Sequence, residues 1–398
     1  MNRKAGIESR AIGRVFLIFA KTASTLLSAL WLFTGCNVLS PENSENDPAL
    51  RIVDVTDLGL LETNAIIRGR DGGYSGVFRN RSIWLYGDTV LEQEGEDGQT
   101  WRHNSWSWTS DLNAADGVTG FQERVDAVAA PKEFFPLTPT EKAFNDAHLQ
   151  NGCVEEPCGA RWALWPGAMV NDFIHDRALI FYSKIYAEPG DLNFRAVGYS
   201  VAVWDDFEAE PIRPEFQNVP DEPMLLFGAN DPSFGSAAIV VDSTLYIYGR
   251  GHDNISKPIH IAKVVLAKAL DLSAWQFYND KERWTANLEA SGPVFNGNDI
   301  MSIWYNTYLG KFIAIYSKPL GRDVVLRTAD KPEGPWSSEL KIFKAKKPAS
   351  ENGWIYDALA HPEYSRADGR LNYLTYSRVT GFFASEVRLV SVEISLLK

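Results

Sequence analysis

The stretch Tyr246-Ile247-Tyr248-Gly249-Arg250 decides the fold, because the chain contains it, with variations, five times. Each copy is an apolar or aromatic strand that ends in Tyr, followed by a small residue and then a charged one. The copies are Trp84-Leu85-Tyr86-Gly87-Asp88, Ile180-Phe181-Tyr182-Ser183-Lys184, Tyr246-Ile247-Tyr248-Gly249-Arg250, Ala314-Ile315-Tyr316-Ser317-Lys318 and Leu374-Thr375-Tyr376-Ser377-Arg378. Successive tyrosines are separated by 96, 66, 68 and 60 positions. This period predicts an all-β, five-bladed β-propeller with four-stranded antiparallel blades around an axial pocket.

An acidic residue recurs at the start of these repeats, 15 to 19 positions before four of the five tyrosines. The four acids are Asp71, Asp231, Asp299 and Asp357, and the second repeat has Trp165 at this position. A hairpin is predicted between each entry residue and its tyrosine, with the first inner strand near 73–78 and the last near 358–364. If the first strand of a hairpin leaves the pocket face, the second returns to it. The sequence therefore predicts an acidic ring near the axis, with Asp88 and four bases farther out.

Carboxylates that converge on an axis suit glycoside cleavage, in which one carboxyl protonates the leaving oxygen while another attacks or activates water. The candidate catalytic residues are Asp71, Asp88, Asp231 and Asp299. Each entry Asp has an alternative interpretation, since Asp before a strand often caps a turn. Asp88 has one too, as the salt-bridge partner of a neighbouring base.

Four further residues are candidates for substrate binding. Trp165 could stack on a sugar face, although most aromatic side chains of a propeller pack its core. Arg250, His252 and Asp357 are expected on the pocket face, and Asp357 is also a candidate proton donor. His361 follows an inner strand and is expected at the opposite end of the propeller.

The first 35 residues differ from the rest. A basic start with Arg3, Lys4, Arg10, Arg14 and Lys21 precedes the apolar segment 22–33 and then Thr34-Gly35-Cys36. This order predicts a lipoprotein signal peptide over 1–35, with lipid on Cys36. The alternative is an uncleaved anchor helix, against which Lys21 argues. Residues 36–50 read as a flexible tether and 51–398 as the propeller domain.

The charge of the chain excludes some partners. Without residues 1–35 the chain has 34 Lys and Arg against 50 Asp and Glu. Such a surface repels phosphate backbones, so nucleic acid is not an expected partner. The membrane is expected to be reached only through lipid on Cys36, which places the protein in the cell envelope, and the protein is expected to be a monomer.

Two cysteines remain in the exported part. Cys153 and Cys158 predict one local disulfide, since no cluster of Cys and His nearby completes a metal site. They lie in an expected insertion at about 121–160, which accounts for the long first spacing. The sequence has no phosphate loop, nucleophile elbow or dinucleotide fingerprint, so no cofactor is expected. A structural metal ion on the propeller axis stays open.

A series of short motifs resembles a bacterial domain family that long had no known function, and some of whose mycobacterial members are endo-D-arabinanases. The series also resembles, more distantly, the five-bladed arabinanase, xylosidase and invertase propellers. The motifs are Arg70-Asp71-Gly72-Gly73, Tyr86-Gly87-Asp88-Thr89, Asn104-Ser105, Leu164-Trp165-Pro166-Gly167, Phe234-Gly235, Val265-Leu266-Ala267-Lys268, Trp275-Gln276-Phe277-Tyr278 and Gly334-Pro335-Trp336-Ser337.

The resemblance implies a carbohydrate ligand and assigns Asp71 the role of base or nucleophile at the anomeric carbon. No Glu stands at any entry position, which departs from those hydrolases. The proton donor is therefore left among Asp231, Asp299 and Asp357.

Three hypotheses follow. The first is an exported, lipid-anchored glycoside hydrolase that cleaves a polysaccharide, with arabinan as the leading substrate. The second is a non-catalytic carbohydrate-binding lipoprotein, and the third is a structural protein of the envelope. Four axial acids favour catalysis, because a binding site would rather use neutral amides and aromatic rings.

We predict that the mature protein begins at Cys36 and carries lipid there. Asn37 rather than Asp follows it, so in a Gram-negative host the outer membrane is the expected destination. Intact-mass measurement of the native protein checks this, with Cys36→Ser as the unlipidated control. A mass that matches the uncleaved chain, or a cleaved chain without lipid, contradicts the prediction.

Overall fold

The computed structural model describes residues 50–397 except 150, 191–192, 254 and 349–353. The predicted signal peptide, Cys36 and almost all of the tether lie outside the described residues. Within the part that is described, no helix is both long and apolar enough to cross a membrane.

The described residues form 22 strands in five sheets. One of these strands comes from the N-terminal side of the domain and joins the sheet of the last blade. That first strand is β1 (Leu50–Leu60). Blade 1 contains β2 (Ile67–Phe78), β3 (Arg81–Leu91), β4 (Trp101–Arg102) and β5 (Ser105–Thr109). An α-helix, α1 (Pro139–Ala147), precedes blade 2, which contains β6 (Arg161–Asp172), β7 (Arg177–Ala187), β8 (Phe194–Trp204) and β9 (Phe227–Gly228). Blade 3 contains β10 (Ala237–Val241), β11 (Thr244–Arg250), β12 (Pro258–Val265), β13 (Gln276–Tyr278), β14 (Trp284–Thr285) and β15 (Pro293–Asn296). Blade 4 contains β16 (Ser302–Asn306), β17 (Lys311–Ser317), β18 (Asp323–Ala329) and β19 (Leu340–Lys344). Blade 5 contains β20 (Ile355–Ala360), β21 (Leu371–Gly381) and β22 (Ala384–Leu396).

The five sheets close into a ring. The inner strands β2, β6, β10, β16 and β20 contact one another in cyclic order, and β20 returns to β2. The outermost strand of blade 5 is β1, which pairs antiparallel with β22 from Leu50↔Leu396 to Leu60↔Arg388. Strands from both ends of the domain thus complete one sheet, which ties the ring shut. The fold is the predicted five-bladed β-propeller with four-stranded antiparallel blades.

The repeated tyrosines lie on the second strand of every blade, and all five are at most 2 % exposed. Burial of an aromatic ring favours packing, but its hydroxyl group then needs a partner. The hydroxyl of Tyr182 donates to the carbonyl oxygen of Met224 at 3.1 Å, and that of Tyr248 to the carbonyl oxygen of Pro332 at 2.9 Å. The repeat therefore marks the core of each blade.

Three details differ from a regular propeller. In blade 1 the third strand is interrupted, since β4 and β5 pair separately with β3. Blade 3 has six strands because β13, β14 and β15 extend it. The last inner strand is β20, which ends at Ala360, and not the predicted 358–364. The residues Pro362–Tyr364 form a 3₁₀ turn instead, since proline supplies no backbone N–H for a strand ladder.

The segment before blade 2 is fixed by α1 and by a disulfide. Thr138 caps the helix, and its hydroxyl accepts from the backbone N–H of Glu141 at 3.2 Å. The predicted disulfide between Cys153 and Cys158 is present. The buried Glu141 accepts hydrogen bonds from Arg213 at 2.7 and 3.0 Å and forms an ion pair with Lys184 of β7 at 2.9 Å. These contacts attach the segment to blade 2.

We predict that Glu141→Gln lowers the free energy of unfolding by about 3 kcal/mol, because it leaves the buried guanidinium of Arg213 without its anion. Chemical denaturation measures the change. Lys142→Ala is the matched control on the same helix, because Lys142 is exposed and pairs only with Asp146 at the surface. Equal stability of the Glu141→Gln variant and the wild type would contradict the structural role of this ion pair.

Candidate active site

Three inner strands of the propeller pair irregularly with their neighbours. The register of β2 with β3 shifts on either side of Gly72, that of β6 with β7 shifts between Pro166 and Met169, and that of β20 with β21 shifts between Tyr356 and Leu359. A β-bulge redirects the side chains next to it. Inner strands of three blades therefore have bulges close to the residues that the sequence singled out.

Asp71 lies in the bulge of β2, next to Gly87 of the Tyr86-Gly87-Asp88 segment of strand β3. Gly87 is required there, because a Cβ at this position would lie 2.8 Å from Oδ1 of Asp71. The small residue of the repeated phrase thus makes room for the carboxyl group in this blade. Asp71 is partly exposed.

Asp357 meets Asp71 across the seam between blades 5 and 1. Its Oδ2 accepts a hydrogen bond from the backbone N–H of Gly72 at 3.2 Å, and the hydroxyl of Tyr356 lies 3.5 Å from Oδ2 of Asp71. Asp357 has a φ of 52°, in the left-handed region that Asp tolerates better than most residues. Gly72, the residue after Asp71, therefore binds the carboxyl of Asp357, and Tyr356, the residue before Asp357, binds the carboxyl of Asp71.

The two carboxyl groups share an electrostatic environment that favours protonation. Burial raises the pKa of Asp71 well above its ordinary value, and the charges of Asp357 and Asp88 raise it further. Burial also raises the pKa of Asp357 to about 7, against the opposing hydrogen bond from Gly72. Two close, buried carboxyls cannot both ionise easily, so the pair retains a proton near neutral pH.

Asp88 is the third carboxyl of this group, and Trp165 holds it. The indole N–H of Trp165 donates to Oδ1 of Asp88 at 2.9 Å. Burial raises the pKa of Asp88, and the hydrogen bond from Trp165 and the charge of Arg161 oppose the rise. Trp165 therefore orients a carboxylate, and its partly exposed ring also packs edge-on against Phe194, with centroids 4.9 Å apart.

Asp299 precedes the inner strand of blade 4 and has a different environment. Its carboxylate accepts hydrogen bonds from Arg250 of β11 and from Lys257, so Arg250 and Asp299 form one ion pair. Although burial opposes it, the hydrogen bond from Lys257 and the charge of Arg250 lower the pKa of Asp299. An acid that is ionised in this way does not suit proton donation, the role that the sequence left open for it.

Asp231 and His252 occupy the rim of blade 3. Oδ2 of Asp231 accepts from the backbone N–H of Gly228 at 2.7 Å, which is the turn-capping arrangement weighed above. His252 is exposed, and its Nε2 lies 2.5 Å from the carbonyl oxygen of Asn230. Among the described residues, neither side chain forms a hydrogen bond or an ion pair with Asp71 or Asp357, and each is held instead by backbone of its own blade.

His361 is fully buried and belongs to the core. It stacks on Trp84 with ring centroids 4.2 Å apart, and its Nδ1 and Nε2 lie 2.6 and 2.8 Å from the hydroxyls of Ser75 and Thr375. Burial lowers its pKa to about 3, so the ring is neutral at physiological pH.

Sequence reasoning missed three residues of the site, namely Tyr356, Lys257 and Arg161. Tyr356 directly precedes an entry acid, and Arg161 stands four positions before Trp165, so both were adjacent to noted positions. Lys257 lies outside the repeated phrases and had no comparable signal. Among the described residues, no group of three or more His, Cys, Asp or Glu side chains is arranged to hold a metal ion.

The family described as Domain of unknown function (DUF5005) matches residues 60–373 of this sequence. The chain belongs to this family. No curated protein matches the chain in sequence. The expected resemblance to a bacterial propeller family of unknown function is thereby confirmed.

Solved structures show a similar fold. A Bacteroides ovatus protein thought to be a hydrolase superposes with a TM-score of 0.52 at 13 % identity, over 84 % of this chain and 87 % of that one. Zg3597, a family 117 glycoside hydrolase of the marine bacterium Zobellia galactanivorans, has a TM-score of 0.49 at 11 % identity, over 88 % of this chain and 92 % of that one. Similarity at this level concerns the fold alone, so activity has to be argued from the site.

We predict that Asp357 makes the protein less stable as the pH rises. Its pKa is about 7 in the folded protein and near 4 in the unfolded chain, so the folded state holds the extra proton between these values. The contribution of Asp357 to the free energy of unfolding is fully present below about pH 4 and is lost as the pH rises through about 7. Asp357→Asn should remove about 2–4 kcal/mol of this pH dependence.

Denaturant unfolding at several pH values from 4 to 8 measures the effect as the difference between wild type and variant. Parallel stability curves for the two proteins would show that Asp357 titrates at its ordinary pKa.

Proposed function

We propose that the protein is a glycoside hydrolase that cleaves a polysaccharide by acid/base chemistry in the axial pocket. The observation that carries this proposal is the coupled pair of Asp71 and Asp357, two enclosed carboxyls that share a proton near neutral pH. Glycoside cleavage needs one protonated and one ionised carboxyl at the same bond. A pKa close to the working pH is also what efficient proton transfer requires.

The surroundings of the pair support the same chemistry. Asp88 adds a negative charge that favours protonation of Asp71, and Trp165 keeps Asp88 in place. The hydroxyl of Tyr356 lies beside Asp71, where it could donate to a carboxylate that loses its proton. Of the three predicted donors, Asp231, Asp299 and Asp357, only Asp357 belongs to the pair, since the oxygens of the other two are already used by a turn and an ion pair.

Substrate and location remain parts of the proposal that rest on the sequence. Arabinan or another pentose polymer is the leading substrate, and lipid on Cys36 would place the enzyme in the cell envelope. Leu50, where the described part begins, pairs with Leu396 at the end of blade 5 opposite the pocket.

We predict that the purified protein releases new reducing ends from at least one member of a polysaccharide panel that includes arabinans and xylans. Asp71→Asn and Asp357→Asn should each lower turnover by a factor of about 10² to 10⁴, because each removes a proton donor or acceptor. Asp88→Asn should lower it less, since Asp88 acts on the pKa of Asp71. Asp176→Asn is the control, as this residue is exposed on the opposite face.

A substrate with a good leaving group shows which carboxyl of the pair is the proton donor. An aryl glycoside with a good leaving group needs no proton, so activity should recover in the variant that lacks the donor and stay low in the other. Full activity of both variants on the polymer would refute the proposal. Sugar binding without hydrolysis anywhere in the panel would favour the non-catalytic carbohydrate-binding protein.

A further inference from the structure

Arg161 lies near the acidic group, close enough to interact electrostatically with Asp88. It is the first residue of β6 and lies on the same side of the strand as Trp165, four positions further on. Its guanidinium lies over the ring of Trp101, 4.0 Å from the centroid. Stacking on an aromatic face fixes the plane of a guanidinium and leaves its edge available to a ligand.

No carboxylate forms an ion pair with Arg161 among the described residues. Arg213 and Arg250, in contrast, each bind an acid directly. Asp88 is close enough to influence Arg161 electrostatically, but its carboxylate is oriented by Trp165. Burial lowers the pKa of Arg161, and the buried Nε has no acceptor in the described structure. A charged, partly buried group that has no hydrogen-bonded acid is costly unless a ligand supplies one.

The walls around Arg161 suit a sugar. Trp101 and Trp165 are partly exposed, and Phe194 beside Trp165 is 46 % exposed. Aromatic rings offer apolar surface to the faces of a sugar, while a guanidinium matches the two oxygens of an anionic group. The aromatic rings and the guanidinium of Arg161 lie near Asp88. A sugar bound by them would therefore be close to the glycosidic bond on which Asp71 and Asp357 act.

We propose that Arg161, Trp101 and Trp165 form a subsite for a sugar residue that carries an anionic group, either a carboxylate or a sulfate ester. The proposal rests on the glycoside hydrolase function proposed above, but it changes the leading substrate from a neutral arabinan to a polysaccharide that contains acidic sugars. Arg161 supplies the charge recognition, and the aromatic rings supply the contact with the sugar ring. The scissile bond then lies next to an acidic sugar of the polymer.

Binding measurements test the subsite separately from catalysis. All proteins carry Asp71→Asn to stop turnover, and calorimetry compares oligogalacturonate, sulfated galacto-oligosaccharide and neutral galacto-oligosaccharide as probes. We expect at least one anionic probe to bind at least about tenfold more tightly than the neutral one at low salt, a preference that weakens as salt is raised. The additional substitution Arg161→Gln should reduce the preference to less than about threefold, since it removes the charge.

Arg81→Gln is the matched control. Arg81 also lies over an aromatic ring, that of Phe207 at 4.5 Å, but it is exposed at the opposite end of its blade. The proposal is overturned if neither anionic probe is preferred, or if the preference survives Arg161→Gln. If the preference depends on Arg161 but the wild type hydrolyses nothing, the subsite stands and the proposed hydrolase activity fails.

Discussion

The carboxyl groups of Asp71 and Asp357 meet where the ring of blades closes, and the character of the pocket depends on this enforced proximity. Like charges in a poorly hydrated place repel, so the fold has to hold them together. It does so through the backbone N–H of Gly72 and the hydroxyl of Tyr356, each bound to the carboxyl of the other blade. The rest of the propeller offsets the repulsion between the two carboxyl groups. Its strand β1 pairs with β22 and so prevents blades 5 and 1 from separating.

Local irregularity makes this arrangement possible. A regular strand would alternate its side chains between the two faces of a blade, so they would not converge on the axis of the propeller. The bulges in β2 and β20 release Asp71 and Asp357 from that alternation, and the glycine at position 87 leaves room for one of them. The distortions are therefore part of the site, in keeping with the concentration of bulges beside active sites generally.

The pocket is divided electrostatically. On the side of Asp71, Asp88 and Asp357, burial raises the pKa of each carboxyl, and the charges of Asp357 and Asp88 raise that of Asp71 further. On the side of blades 3 and 4, Arg250 and Lys257 bind Asp299 and keep it ionised. Similar residues thus differ in their chemistry because their neighbours differ, and only the first side can hold a proton at neutral pH.

The sequence alone determined the fold, because five buried tyrosines on the second strands impose a repeat that can be counted without coordinates. It also indicated that aspartates open the repeats, and it placed Asp71 and Asp88 near the pocket. Which acids meet, and in which protonation state, was decided only by the tertiary structure. Asp357 and Asp71 are 286 positions apart in the chain, and their contact arises from the closure of the ring.

The partners of each acid likewise depended on the folded backbone. Asp231 has the same place in its repeat as Asp71, yet it accepts from the N–H of Gly228 in its own turn. The ion pair of Asp299 needs Lys257, which comes from a different blade and has no place in the repeated phrase. A sequence pattern specifies positions along strands, whereas a pKa depends on distances and burial that exist only once the blades are packed.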